Sequence, residues 1–143
     1  VWLAVTADTG GLTDPEETAE LTVEPTPRLE TVLDVLAELG FSLELSECLG
    51  DPDERYTTDR PYVQRFEFDP EGSEYEDALD GIEVRTDPRA DDLAVVVDVD
   101  RHAGVLSELL QTDHESTTLV IDSTDRSDVE QQFVETIENA LSN

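Results

Sequence analysis

The stretch Tyr62-Val63-Gln64-Arg65-Phe66-Glu67-Phe68 constrains the fold more than any other part of the chain. A strand turns successive side chains to opposite faces, so Tyr62, Gln64, Phe66 and Phe68 share one face, and Val63, Arg65 and Glu67 share the other. An aromatic face needs burial, whereas a charged face needs water or partners. This is the signature of a half-buried strand, with Gln64 requiring hydrogen-bond partners among the aromatics. Residues 18–24 and 41–47 alternate in the same way. Residues 1–6, 82–86, 93–99 and 117–122 complete the strand set, and 93–99 is apolar enough to lie centrally in a sheet. Turn chemistry fills the gaps at residues 8–15 and at Asp69-Pro70-Glu71-Gly72.

The apolar period switches to helical in two places. Leu29, Val32, Leu33, Leu36 and Leu39 form one stripe, with Thr26 placed to cap, Pro27 at the first position and Gly40 closing. Val129, Phe133, Val134, Ile137, Ala140 and Leu141 form another behind Ser127, whose hydroxyl suits a cap. Helices are therefore predicted over 27–39 and 127–141, with a short helical or looped element at 105–110. The fold class is mainly β with two helices (α+β), and the mostly antiparallel order suggests a β-sandwich carrying both helices.

The surface is set by charge. Against 37 Asp and Glu stand 8 basic residues, all Arg, giving a net charge of −29. Leu, Ile, Val and Phe still make up 39 of the 143 residues, enough for a core. The carboxylates recur through every kind of segment instead of forming a tail, so the acidity belongs to the whole surface. Such a surface repels itself in dilute salt but scarcely does so near ~1 M, where the Debye length is ~3 Å. Acid excess without Lys resembles the proteins of haloarchaea that accumulate salt. No basic stripe exists to contact phosphates, so no nucleic acid is expected as partner. No apolar run spans a membrane and no leader pattern opens the chain, so a cytoplasmic, soluble protein is expected. One cysteine, Cys48, makes no internal disulfide and is expected to be buried and structural. The opening Val1-Trp2-Leu3, without Met, suggests a piece of a longer chain.

Catalytic motifs are missing: there is no phosphate loop, dinucleotide fingerprint, nucleophile elbow or zincin helix. Asp98-Val99-Asp100 resembles the start of a calcium loop, but Ala103 and Leu109 stand where that loop needs Gly and Glu. Asp100, His102, Asp113 and His114 are chemically able to hold Zn²⁺, although 37 carboxylates make such neighbours common by chance. Neither catalytic, cofactor nor metal residues are assigned. Arg101 ends the most apolar strand, where its planar fork is expected to meet a carboxylate.

Two stretches carry a family likeness. Val63-Gln64-Arg65-Phe66-Glu67-Phe68-Asp69-Pro70 resembles a segment of the sporulation-control protein family, whose members have an arrestin-like fold. Val97-Asp98-Val99-Asp100-Arg101, with Gly104, Leu106, Ser107-Glu108 and Glu115-Ser116, is similar to a second. Trp2, Thr6, Asp14-Pro15, Val23, Pro25 and the run from Leu33 to Leu39-Gly40-Phe41 match the opening of the family's C-terminal half. His102 departs from the pattern, standing where a second Arg is common.

The resemblance implies a haloarchaeal member represented by its C-terminal half. Residues 1–25 would then be lead-in strands and a crossover from an N-terminal half upstream, and 26–143 an arrestin-like β-sandwich domain. It also implies a non-enzymatic regulator or scaffold acting through a protein partner, with a homodimer left open. Two other readings stand beside it: a carboxylate- or metal-dependent hydrolase using Asp98, Asp100, His102 and His114, and an acidic mimic of nucleic acid.

Overall fold

The structure, a computed structural model, describes residues 2–6, 16–20, 22–50, 62–102 and 114–142. β1 (Trp2–Thr6) and β2 (Glu16–Glu20) pair antiparallel in a two-stranded sheet. β2 sits earlier than the alternation at 18–24 suggests, and Thr22 and Val23 are exposed outside it. The helix α1 (Pro27–Glu38) follows, and then β3 (Ser42–Gly50), β4 (Tyr62–Asp69), β5 (Leu79–Pro88), β6 (Leu93–Arg101) and β7 (His114–Ile121). The helix α2 (Arg126–Ser142) comes last. Strands β3 to β7 lie side by side in chain order as one antiparallel sheet. The expected turn at 8–15, the element at 105–110 and Asp113 lie outside the described residues.

Both helices pack on one face of this sheet. Phe66 and Phe68 of β4, Ile82 and Val84 of β5, and Val95, Val97 and Val99 of β6 point to that face and are buried. They meet Val32, Val35 and Leu36 of α1 and Val129, Phe133 and Ile137 of α2 in a single core. Each such side chain contributes about 1.5 to 3 kcal/mol by leaving water. The mainly β class with two helices is therefore observed, the helices supplying the layer over one face.

The helix ends follow chain chemistry with two corrections. Thr26 is the N-cap of α1 in extended conformation, but its side chain makes no capping bond; its carbonyl accepts from Glu30 N at 2.8 Å. At α2 the cap is Asp125 and not Ser127, because Asp125 Oδ1 accepts from Ser127 N at 3.0 Å. A carboxylate also suits the positive end of the helix.

The C-terminus of α1 closes as a Schellman motif. Gly40 N donates to Ala37 O at 3.1 Å and Phe41 N to Leu36 O at 3.0 Å. Gly40 has φ +92°, and a Cβ there would lie 2.9 Å from Ser73 Cα. That contact ties α1 to the β4–β5 connection, where Tyr75 stacks on Phe41 with ring centroids 5.8 Å apart. Burial, helped by the Glu74 carboxylate, pushes the Tyr75 hydroxyl pKa up.

Candidate functional site

The face turned away from the helices is charged, as the alternation in β4 requires. Register stacks Glu47, Arg65 and Arg85 in one row across β3, β4 and β5. The next row is Leu45, Glu67, Glu83, Asp98 and Ser116, running from β3 to β7. Opposite charges in neighbouring rows interleave into a ladder. Arg65 reaches Glu47 at 3.0 Å, Glu83 at 3.2 Å and also Glu67. Arg85 reaches Asp98 at 2.9 Å and also Glu83.

Glu83 is the hinge of the ladder, because its two oxygens meet different guanidiniums. Burial raises its carboxyl pKa; Arg65 pulls the other way, while Asp98, Glu67 and Glu47 add to the rise. Two cations among four carboxylates leave a net negative face even here. Beyond the ladder the face opens into a groove of about 460 Å³, whose lining includes Glu44, Asp69, Asp80 and Asp100. Among the described residues Arg85 is the one basic side chain in that lining. The arrangement can accept cationic groups and repels anions.

Of the residues of the hydrolase reading, Asp98 and Asp100 share one face of β6 and line the same groove. Asp98 is engaged by Arg85, and Asp100 lines the groove. His102 ties the end of β6 to the β4–β5 connection and the start of β5: Nδ1 lies 2.5 Å from Asp80 Oδ1, Nε2 lies 3.1 Å from Glu76 O, and its backbone N donates to Ala78 O. His114 stands opposite Asp100 in register. Among the described residues no three His, Cys, Asp or Glu side chains are grouped to hold a metal ion.

Cys48 is exposed, not buried as expected. It lies on β3, which among the described residues is an edge strand. Arg101 Nη1 donates to the Ala140 carbonyl at 3.0 Å, which joins the end of β6 to α2. Glu83, Arg85 and Glu47 went unremarked in the sequence. Their signal was the Glu83-Val84-Arg85 alternation, which marks the face but not the cross-strand neighbours.

This fold has a counterpart among known proteins. The family model described as Spo0M, SpoOM protein, matches residues 1–103. The chain belongs to the Spo0M family. The sporulation-control protein Spo0M of Bacillus subtilis (strain 168) is 34% identical over 94 residues, which is 66% of this chain and 35% of that protein. The crystal structure of Spo0M from Bacillus subtilis matches 97% of this chain and 59% of its own, with a TM-score of 0.70 and 26% identity. The chain thus spans little more than a third of the curated Spo0M by sequence match and about three fifths of the solved one. The fold is arrestin-like, as in Spo0M. No helix among the described residues is long and apolar enough to cross a membrane.

Proposed function

We propose that this chain is a non-enzymatic, arrestin-like regulatory or scaffold module that works by holding a protein partner, in the cytoplasm of a salt-rich cell. The observation that carries the reading is the ion-pair ladder. The central carboxylates of this face are held by cations: both oxygens of Glu83 face arginines and Asp98 faces Arg85, while His102 faces Asp80. Groups so engaged hold a surface in shape. Membership of a family whose Bacillus subtilis relative is named a sporulation-control protein supports a regulatory role. The process regulated here need not be sporulation.

Residues 26–143 form the module in this reading, with residues 1–25 leading into it. A face that is negative overall disfavours nucleic acid as partner. The test is affinity capture with the native-length protein in KCl at the cell's internal concentration. A protein retained in stoichiometric amount, and released by an excess of free module, supports the reading. Nothing retained above the bead control overturns it.

A further inference from the structure

We infer that the outer edge of β3 receives the partner, which docks by adding an extended basic strand to the five-stranded sheet. The inference rests on the module reading and names its surface.

Among the described residues β3 is paired on one side only, with β4. An edge strand keeps a row of backbone donors and acceptors for a further strand. The nine residues of β3 span about 30 Å at the usual rise per residue. Ser42, Leu43, Glu44, Ser46, Cys48 and Gly50 are exposed, and Leu43 is 50% accessible despite its size. The opposite edge, β7, is also exposed, with Val120 50% accessible, but of its described side chains only Ser116 lines the acidic groove that reaches β3 through Glu44.

Charge sets the chemistry of the occupant. An added strand would present alternate residues to the two sides of β3. On the groove side they meet Glu44, Leu45 and Glu47, with the acidic groove beyond. Glu44 has no ion-pair partner among the described residues, and the Arg65 that serves Glu47 also serves Glu67 and Glu83. On the helix side they meet Leu43, Ser46 and Cys48, which are small or apolar. The fitting segment therefore alternates Arg or Lys with Val, Ile or Thr. A second copy of β3 fits poorly, because it brings glutamates to glutamates and like charges across strands repel.

The probe is a blocked peptide about ten residues long, alternating Arg and Val, beside the same peptide N-methylated at every second amide. Charge and side chains are then equal, and only backbone donors differ. Binding is read by anisotropy in the lowest KCl that keeps the native circular dichroism spectrum, and the docking place by amide exchange. The unmethylated peptide is expected to bind about tenfold tighter or more, given several backbone bonds lost on methylation. Exchange should slow within residues 42–50, and Glu44→Arg should weaken binding at least a few-fold. Equal binding of the two peptides, protection elsewhere, or no binding overturns the inference. If the peptide fails while the native-length protein still captures a partner, the edge falls and the module reading stands. If the peptide pairs with β3 but capture returns nothing, the module reading falls.

Discussion

Arg101, at the end of β6, donates from Nη1 to the carbonyl oxygen of Ala140 in the last turn of α2, 3.0 Å away. The last carbonyls of a helix lack intrahelical donors, and the helix end carries partial negative charge. The last turn of α2 has no basic residue of its own. The sheet therefore supplies the cation, and a packing contact becomes a pinned one. Arg101→Ala is expected to cost about 1 to 2 kcal/mol in urea melts, and Arg101→Lys less, because it keeps the charge and loses the fork. Wild-type stability in Arg101→Ala would show that the contact does not hold α2.

Phe66 and Phe133 face each other's layers in the core, one from the sheet and one from the helix, and both are buried. Truncating either to Ala should cost about 3 to 5 kcal/mol, the larger loss falling where the cavity collapses least. A surface-like loss from Phe66→Ala in a chemical melt would contradict the β4 register.

Gly40 combines a left-handed backbone with a close approach to backbone at Ser73. Gly40→Ala meets both, so a loss of about 1 to 3 kcal/mol is expected, beyond that of Gly→Ala at an open turn. Gly72 also has a positive φ but open space around it, and Gly72→Ala is the matched control. Equal melting temperatures for the two variants would remove the role assigned to the Ser73 contact.

The raised pKa of Glu83 has a direction that can be measured. The folded protein holds this proton more tightly than the unfolded chain, so protonation at Glu83 favours folding. Its contribution is fully present below the ordinary carboxylate value of 4.5 and is lost as pH rises through the higher folded value. Gln imitates the protonated state. Glu83→Gln should thus be at least as stable as the parent at pH 7, with the difference closing at pH 4. A variant clearly weaker at pH 7 would mean that the pairs with Arg65 and Arg85 outweigh burial.

With a net charge of −29, self-repulsion should be strong in dilute salt. The melting temperature is expected to rise clearly between about 0.1 M and 2 M KCl, as the Debye length falls from ~10 Å to below ~3 Å. Equal melting temperatures would detach the acidity from salt adaptation.

Much of the architecture could be read from residue order. Alternation in 62–68 assigned Phe66 and Phe68 to one face and Arg65 and Glu67 to the other, and the sheet divides them that way. Helical stripes located α1 and α2 to within a residue or two. What stayed hidden depends on neighbours far along the chain. Alternation says that Cys48 lies in a strand but not that the strand is an edge, so its exposure could not be foreseen. Likewise the ladder needs β3 to β6 set in register, and no local pattern states that Arg65 stands opposite Arg85. The bulge between Leu43 and Leu45, which turns Leu43 and Leu45 to opposite sides, is invisible for the same reason.

The order in which the layers occur along the chain bears on how the protein comes into being. Strands β3 to β7 each pair with their sequence neighbour, so the sheet can assemble hairpin by hairpin with little loop closure. Its apolar face is only partly roofed by α1, and the remaining cover, with Val129, Phe133 and Ile137, comes from α2 at the far end of the series. During synthesis, Val95, Val97 and Val99 stand uncovered until α2 has left the ribosome, an interval of about 2 to 9 seconds at ordinary elongation rates. A chain stalled in that interval exposes an apolar sheet face, and like net charge on neighbouring copies works against their association.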